Sequence, residues 1–302
     1  MLNYILSLFM LHPAAVNHRA ADSNYNQVVT TLQKIAKANP RTSRMFELAV
    51  SDSNQTIYGL EISSNLQRVG PETEVPDLVV GTHHGNEYGS TAVALGVADS
   101  FAANPVPGHR VYVIPVLNIN GYNARDRYES NSKQSFDPNR DYPGPCVGNS
   151  PRFNLKSTKA LADFVDKKGI VASATLHTFW PAALYPWGLS SRDLKTEYES
   201  TFVGLAKDAT VESGYQSGNS TEMLYAADGT YEDYAFWKHG IWSLLFEMGD
   251  SHNPGPEDIK KMIAGNVPGI RRFFENAPKT RAAHHAFTGK CDSSVLKRTR
   301  LE

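Results

Sequence analysis

Four residues of this sequence stand where a chain can do chemistry. His84 and Glu87 flank Gly85-Asn86 just after an apolar run, while His177 and Glu247 each close another such run. An imidazole and a carboxylate at this spacing, on a tight turn that runs into a helix, can both point at one ion, and that donor set suits zinc. Two histidines and a carboxylate leave a coordination position open for water and substrate, and a further glutamate nearby could take a proton from that water. Together they form the set needed for metal-assisted hydrolysis of an amide. Taken singly, each residue fits a plainer description: a solvated loop histidine for His84, a hydrogen-bonded histidine at a strand end for His177. The joint pattern favours ligation. His83 stands beside His84 with no assigned role.

The elements that must position these residues can be read from hydrophobic periodicity. Residues 77–81, rich in branched apolar side chains, form a buried strand that breaks at Gly81 and delivers His84 and Glu87 into the loop beyond it. Residues 88–102 read as the helix behind that strand and 111–117 as the next strand, a strand-helix-strand crossover. The run 170–176 is a strand ending at His177, and 241–246 a strand delivering Glu247. In open α/β sheets, ligands bind beyond the carboxyl ends of such strands. Earlier in the chain, 26–38 has helical spacing, and 46–50 and 58–62 alternate as paired antiparallel strands around Asp52-Ser53-Asn54. Helices are expected over 155–168, 195–213, 231–239 and 256–275, with Pro268-Gly269 kinking or dividing the last. Residues 118–154 turn polar and read as one long functional loop.

Composition narrows the field further. The chain has 302 residues, enough for one large α/β domain, and no linker argues for two. Thirty basic residues against 31 acidic ones give a formal charge of -1, which does not suggest a nucleic-acid footprint. Cys146 and Cys291 are the only cysteines, so a metal site has to be built from His, Asp and Glu, and whether the pair forms a disulfide stays open. Residues 1–23 read as a leader. Their apolar start is too short to span a bilayer and lacks a leading basic residue, so a cleaved signal and a retained amphipathic segment are both open. Secretion or a periplasmic location is expected on the first reading, a cytoplasmic one on the second. The catalytic region is set at 24–300, and Leu301-Glu302 is read as a cloning scar.

Beyond these observations, the sequence resembles the M14, or carboxypeptidase A-like, family of zinc metallocarboxypeptidases from about residue 24 to about residue 275. His84-Gly85-Asn86-Glu87 is similar to the family's first two zinc ligands. Leu176-His177-Thr178-Phe179, followed by Leu184-Tyr185-Pro186-Trp187-Gly188, is similar to its third-ligand strand and the loop after it, and Phe246-Glu247 to the strand end with its catalytic glutamate. The resemblance implies a single α/β domain whose central mixed, twisted sheet of about eight strands is flanked by helices on both faces. It also implies one zinc ion on His84, Glu87 and His177.

The long loop becomes readable on this footing. Asn118-Ile119-Asn120-Gly121-Tyr122 resembles the family's Asn-Pro-Asp-Gly-Tyr turn, with Ile and Asn in place of Pro and Asp. The match makes Arg127 the group that polarises the scissile carbonyl, with Arg125 as the competing candidate. Asp137-Pro138-Asn139-Arg140 resembles Asp-x-Asn-Arg, so Asn139 and Arg140 are expected to read a free α-carboxylate and Asp137 to orient the ring of His84. Tyr225 takes the place of the family's substrate-capping tyrosine. Gly229-Thr230-Tyr231-Glu232-Asp233-Tyr234 resembles Gly-Thr-Ser-x-Asp-Trp, which puts Glu232 at the base of the side-chain pocket, where an acid would favour a C-terminal Lys or Arg. A Glu232 that caps its helix toward solvent is the alternative.

The implied activity is removal of the C-terminal residue of a peptide or protein, with Glu247 as general base, no nucleic-acid partner, no membrane span and a monomeric chain. Two rivals stand beside it. One is another hydrolase on the same scaffold, a murein peptidase acting on diaminopimelate-containing peptides or an amidohydrolase. The other is an inactive zinc-binding module that recognises peptides.

Overall fold

The computed structural model describes residues 24–66, 74–146, 152–189 and 195–291. The expected leader, residues 1–23, and the terminal Leu301-Glu302 lie outside them.

The described chain runs α1 (Tyr25–Ala38), β1 (Ser43–Val50), β2 (Thr56–Ile62), β3 (Val75–Gly81), α2 (Tyr88–Ala103), β4 (His109–Ile114), α3 (Ile119–Ala124), β5 (Glu129–Ser130) and β6 (Ser135–Phe136). A single 3-10 turn, Pro138–Arg140, then leads to α4 (Lys156–Lys167), β7 (Ala172–His177), β8 (Ala182–Tyr185), α5 (Glu199–Ala209), β9 (Gln216–Asn219), α6 (Ser220–Met223), α7 (Tyr231–His239), β10 (Trp242–Glu247) and α8 (Pro256–Asn276). Eight strands form one sheet in the order β1-β2-β4-β3-β7-β10-β8-β9, and β5 and β6 pair as a separate ribbon. At its centre β4, β3, β7 and β10 run parallel, while β1 and β2 pair antiparallel with their neighbours and β8 pairs antiparallel with β10 and parallel with β9.

The period of two along β3 explains why helices cover both faces. Val79 enters a core cluster that includes side chains of α2, α5 and α8, whereas Leu78 and Val80 enter a second cluster with side chains of α4 and α7. Fully buried parallel strands of this kind read as continuous apolar runs, so their ends were visible in the sequence. At the amino end of the described chain, α1 starts with a reciprocal cap: Gln27 N–H donates to Asn24 Oδ1 at 3.2 Å, and Asn24 N–H donates to Gln27 Oε1 at 2.9 Å.

Several expectations are corrected. The strand expected over 111–117 stops at Ile114, because Pro115 has no N–H with which to continue a ladder. The helix expected over 195–213 covers Glu199–Ala209. The polar segment 118–154 is no bare loop but holds α3, the β5–β6 ribbon and the 3-10 turn. Leu184 and Tyr185, expected in a loop, belong to β8. Pro268-Gly269 does not divide α8, which is continuous over Pro256–Asn276. Gly269 instead lets α8 lie against α5, since a Cβ there would meet the Ala209 carbonyl oxygen at 2.0 Å. Cys146 and Cys291 form a disulfide with Cα atoms 5.3 Å apart, tying the end of the 118–146 stretch to the last described residue. Among the described residues no helix is long and apolar enough to cross a membrane.

Candidate active site

The central parallel strands release their chains along one edge of the sheet. Gly81 ends β3 opposite Leu176, and His177 and Glu247, the last residues of β7 and β10, are register partners. After β3 the backbone turns sharply at Thr82, whose φ of 59° lies in the left-handed region that a β-branched residue rarely enters. Its surroundings hold it there: the Thr82 N–H donates to Ser90 Oγ at 3.0 Å, and its hydroxyl lies 2.6 Å from Thr91 Oγ1 and 3.1 Å from the Pro115 carbonyl oxygen. The turn that follows packs backbone to backbone on the Asn118–Tyr122 turn. A Cβ on Gly85 would sit 2.1 Å from the Gly121 carbonyl carbon, which is why glycine separates His84 from Asn86. Buried Asn118 stitches the two turns together, donating from Nδ2 to the carbonyls of His83 at 3.2 Å and Arg127 at 3.3 Å.

This scaffold brings His84, Glu87 and His177 together. All three are buried, and their ligand atoms lie within 4.8 Å of one another. Nδ1 of His84 is 2.6 Å from Glu87 Oε1, and Nδ1 of His177 is 3.1 Å from Glu87 Oε2 and 3.3 Å from Nδ1 of His84. Two ring nitrogens facing each other beside a carboxylate form a set of lone pairs that a cation satisfies, so the residues fit a zinc ion. The electrostatics agree. Burial works against a charge on His84, but Glu87 and Asp137 outweigh it and lift its pKa to about 9, so the place draws positive charge. The backbone N–H of Thr178 donates to Glu87 Oε2 at 3.0 Å and holds that carboxylate in position.

Asp137 stands behind this cluster. Its Oδ1 is 3.1 Å from His84 Nε2 and accepts the Asn139 N–H at 2.9 Å, as expected for a residue that orients a ligand ring. Unforeseen in the sequence is its second tie: Arg127 donates to Asp137 Oδ2 from Nε at 3.0 Å and from Nη2 at 2.8 Å, leaving Nη1 out of both bonds. Arg125 is placed differently, capping α3 with φ 62° and lying over the Tyr88 ring at 5.2 Å.

His84, His177, Glu247, Asn139, Arg140, Tyr225 and Glu232 all line one cavity, and Glu87 and Arg127 are not among its lining residues. Burial, and next the charge of Glu87, raise the pKa of Glu247 to about 7, and its Oε2 is buried without a hydrogen-bond partner among the described residues. Arg140 donates from Nη2 to the Tyr225 hydroxyl at 3.1 Å, and Tyr225 is half exposed at the cavity mouth. Asn139 Oδ1 accepts the Tyr231 N–H at 2.9 Å, fixing the amide against the start of α7. Glu232 does not cap its helix toward solvent. It is 3% exposed, accepts a hydrogen bond from Thr175 Oγ1, and keeps Oε2 unpartnered among the described residues. Gly229, with φ 84°, lets the approach to α7 press on Arg140, whose carbonyl oxygen would be 2.5 Å from a Cβ there.

A family model described as zinc carboxypeptidase, peptidase M14, matches residues 28–269. The chain belongs to the zinc carboxypeptidase family. Among curated zinc carboxypeptidases and their kin, the chain is 24% identical over 279 residues to a zinc carboxypeptidase of Saccharothrix mutabilis subsp. capreolus, covering 77% of this chain and 63% of that protein. It is 29% identical over 176 residues to human carboxypeptidase B, covering 48% of this chain and 42% of that protein. The match to carboxypeptidase SOL1 of Arabidopsis thaliana, 24% identical, covers 82% of this chain and 54% of that one, so the chain spans only part of the length of these relatives. Solved zinc carboxypeptidase structures share the fold. Carboxypeptidase A from Helicoverpa armigera superposes with a TM-score of 0.74 at 18% identity, covering 84% of this chain and 73% of that one. Bovine thrombin-activatable fibrinolysis inhibitor does so with 0.73 at 18% identity, covering 84% and 96%.

Sequence reasoning missed some residues of this candidate site. Leu184 and Leu245 face each other across β8 and β10 and line the cavity, and Thr175 supplies the donor to Glu232. The available signal was the period of two, which puts Thr175 on the face of His177 and Leu245 on the face of Glu247.

Proposed function

We propose that the protein is a zinc-dependent exopeptidase that hydrolyses the C-terminal peptide bond of peptides or proteins and prefers a basic last residue. The observation that carries this reading is a single cavity with three kinds of group on its walls: the His84 and His177 imidazoles, the Glu247 carboxylate, and the paired Arg140 and Tyr225. His84, Glu87 and His177 would hold the zinc, which when bound supplies a water of lowered pKa and a Lewis acid for the scissile carbonyl. Glu247 takes the proton of the attacking water and hands it to the leaving amine; its raised pKa suits both transfers. Arg127 donates a hydrogen bond to the carbonyl oxygen as charge develops there, with its guanidinium steadied by Asp137. Asn139, Arg140 and Tyr225 anchor the terminal carboxylate, so only the last residue reaches the reacting groups.

The preference for Lys or Arg rests on Glu232. Its Oε2 is buried with no hydrogen-bond partner among the described residues, and Leu184, Leu224 and Leu245 line the same cavity as Glu232, which suits a side chain with an apolar stem and a cationic tip. A diaminopimelate terminus carries the same carboxylate and ammonium, so murein peptides are the second reading. The test compares zinc-loaded protein on peptides identical except for a last residue of Lys, Phe or Glu, with diaminopimelate-containing muropeptides alongside. Fastest release of Lys is expected. Equal or faster release of Phe refutes the basic preference, and cleavage confined to muropeptides moves the activity to the second reading.

A further inference from the structure

His83 is fully buried next to His84, and the chemistry proposed above leaves it idle. Its surroundings are specific. Nε2 lies 2.9 Å from the Tyr142 hydroxyl, and the ring stacks on His177 with centroids 5.6 Å apart and planes 18° apart. The two candidate ligand histidines are held in different ways. His84 has its outer nitrogen, Nε2, on Asp137, whereas the outer nitrogen of His177 is buried with no hydrogen-bond partner among the described residues. A metal-ligating histidine usually has its ring plane fixed by a hydrogen bond at that outer nitrogen. For His177 the face of His83 is the flat surface available to do so.

The Tyr142 end of this contact leads to the other half of the site. Tyr142 follows Arg140 by two positions, its N–H donates to the Gly229 carbonyl at 3.1 Å, and its ring packs edge-on to Tyr231 at 5.4 Å. Tyr231 in turn donates its N–H to Asn139 Oδ1 at 2.9 Å. One hydrogen bond between His83 and Tyr142 therefore joins the turn carrying the metal-ligand candidates to the segment carrying the carboxylate anchors.

We infer that His83 is a positioning residue with two contacts: its ring sets the plane of His177, and its bond to Tyr142 fixes the spacing between the metal ligands and Asn139-Arg140. The inference rests on the zinc-exopeptidase reading. A catalytic site must hold its groups within fractions of an ångström of the productive geometry, and the His83–Tyr142 bond is a second tie between the two halves beside the one Asp137 makes from His84 to Asn139.

The test measures zinc affinity by competition with a chromophoric chelator, together with KM and kcat on a peptide with a free C-terminus, for His83→Leu, His83→Phe, Tyr142→Phe and the double variant His83→Phe/Tyr142→Phe. Thermal midpoints are recorded for each. His83→Leu, which removes the flat ring, is expected to weaken zinc about 10- to 100-fold, the usual effect of losing a residue that orients a ligand. His83→Phe and Tyr142→Phe keep a flat ring over His177; they should keep zinc affinity and raise KM with kcat little changed, and the double variant should be no worse than either. A folded His83→Leu with wild-type zinc affinity, or KM effects that multiply in the double variant, overturns the inference. If His83→Leu does not fold, the two Phe variants and their combination decide alone. Wild-type protein that binds no zinc refutes the functional reading itself, whereas zinc-binding wild type with an unaffected His83→Leu refutes only the role of His83.

Discussion

Glu247 and His177 are direct partners in the parallel pairing of β10 with β7, each the last residue of its strand. The sheet therefore places the candidate base beside a candidate ligand without relying on a flexible loop, and rigid elements position reacting groups better than loops do.

Removing the charge of Glu247 while keeping its shape isolates its proposed task. Glu247→Gln is expected to keep zinc and peptide binding and to lose hydrolysis by about 10²- to 10⁴-fold, the range for a general base. Equilibrium binding of a non-cleaved product and single-turnover rates check it; near-normal turnover would remove Glu247 from the mechanism.

Asp137 touches both His84 and Arg127, so its loss should injure two functions at once. Asp137→Asn is expected to weaken zinc about 10- to 100-fold. Arg127→Ala should leave zinc binding intact and lower kcat about 10²- to 10³-fold, as loss of an oxyanion donor does. Arg125→Ala should cost little in kcat, because Arg125 caps α3 and lies over Tyr88. The reverse ranking of the two arginine variants would hand the carbonyl to Arg125.

Glu129 offers a pH test on a residue outside the candidate metal ligands. It is 1% exposed and accepts a hydrogen bond from Ser157, and burial raises its pKa to about 8. A carboxyl whose folded pKa lies above its unfolded value keeps a proton that the unfolded chain gives up, so stability should fall as pH rises from about 4.5 to about 8, by roughly 1 kcal/mol per unit. Glu129→Gln removes that dependence. Its stability relative to wild type should grow across this window in chemical denaturation; a difference independent of pH would show that Glu129 is ionised in the fold.

His84, Glu87, His177 and Glu247 were legible in the sequence because buried parallel strands are short apolar runs that end abruptly at polar groups. β8 and β9 were not. Ala182-Ala183-Leu184-Tyr185 is too short for its alternation to stand out, and Gln216–Asn219 is polar and pairs only with β8 in the described sheet. Pro268 misled because a proline's local cost was weighed without the packing of α8 on α2 and α5, which keeps the helix whole. The choice between Arg127 and Arg125 was invisible for a different reason. Both follow the same turn, and only the fold shows which one reaches Asp137.

On the proposed function, a free C-terminal carboxylate, gripped by Asn139, Arg140 and Tyr225, delivers the last peptide bond to a zinc site. Mass spectrometry of zinc-loaded protein incubated with one Lys-terminated peptide, as the free acid and as the C-terminal amide, tests it most directly. Loss of a single residue from the acid and no cleavage of the amide is expected; equal cleavage of both, or cuts within the chain, would refute the carboxylate grip.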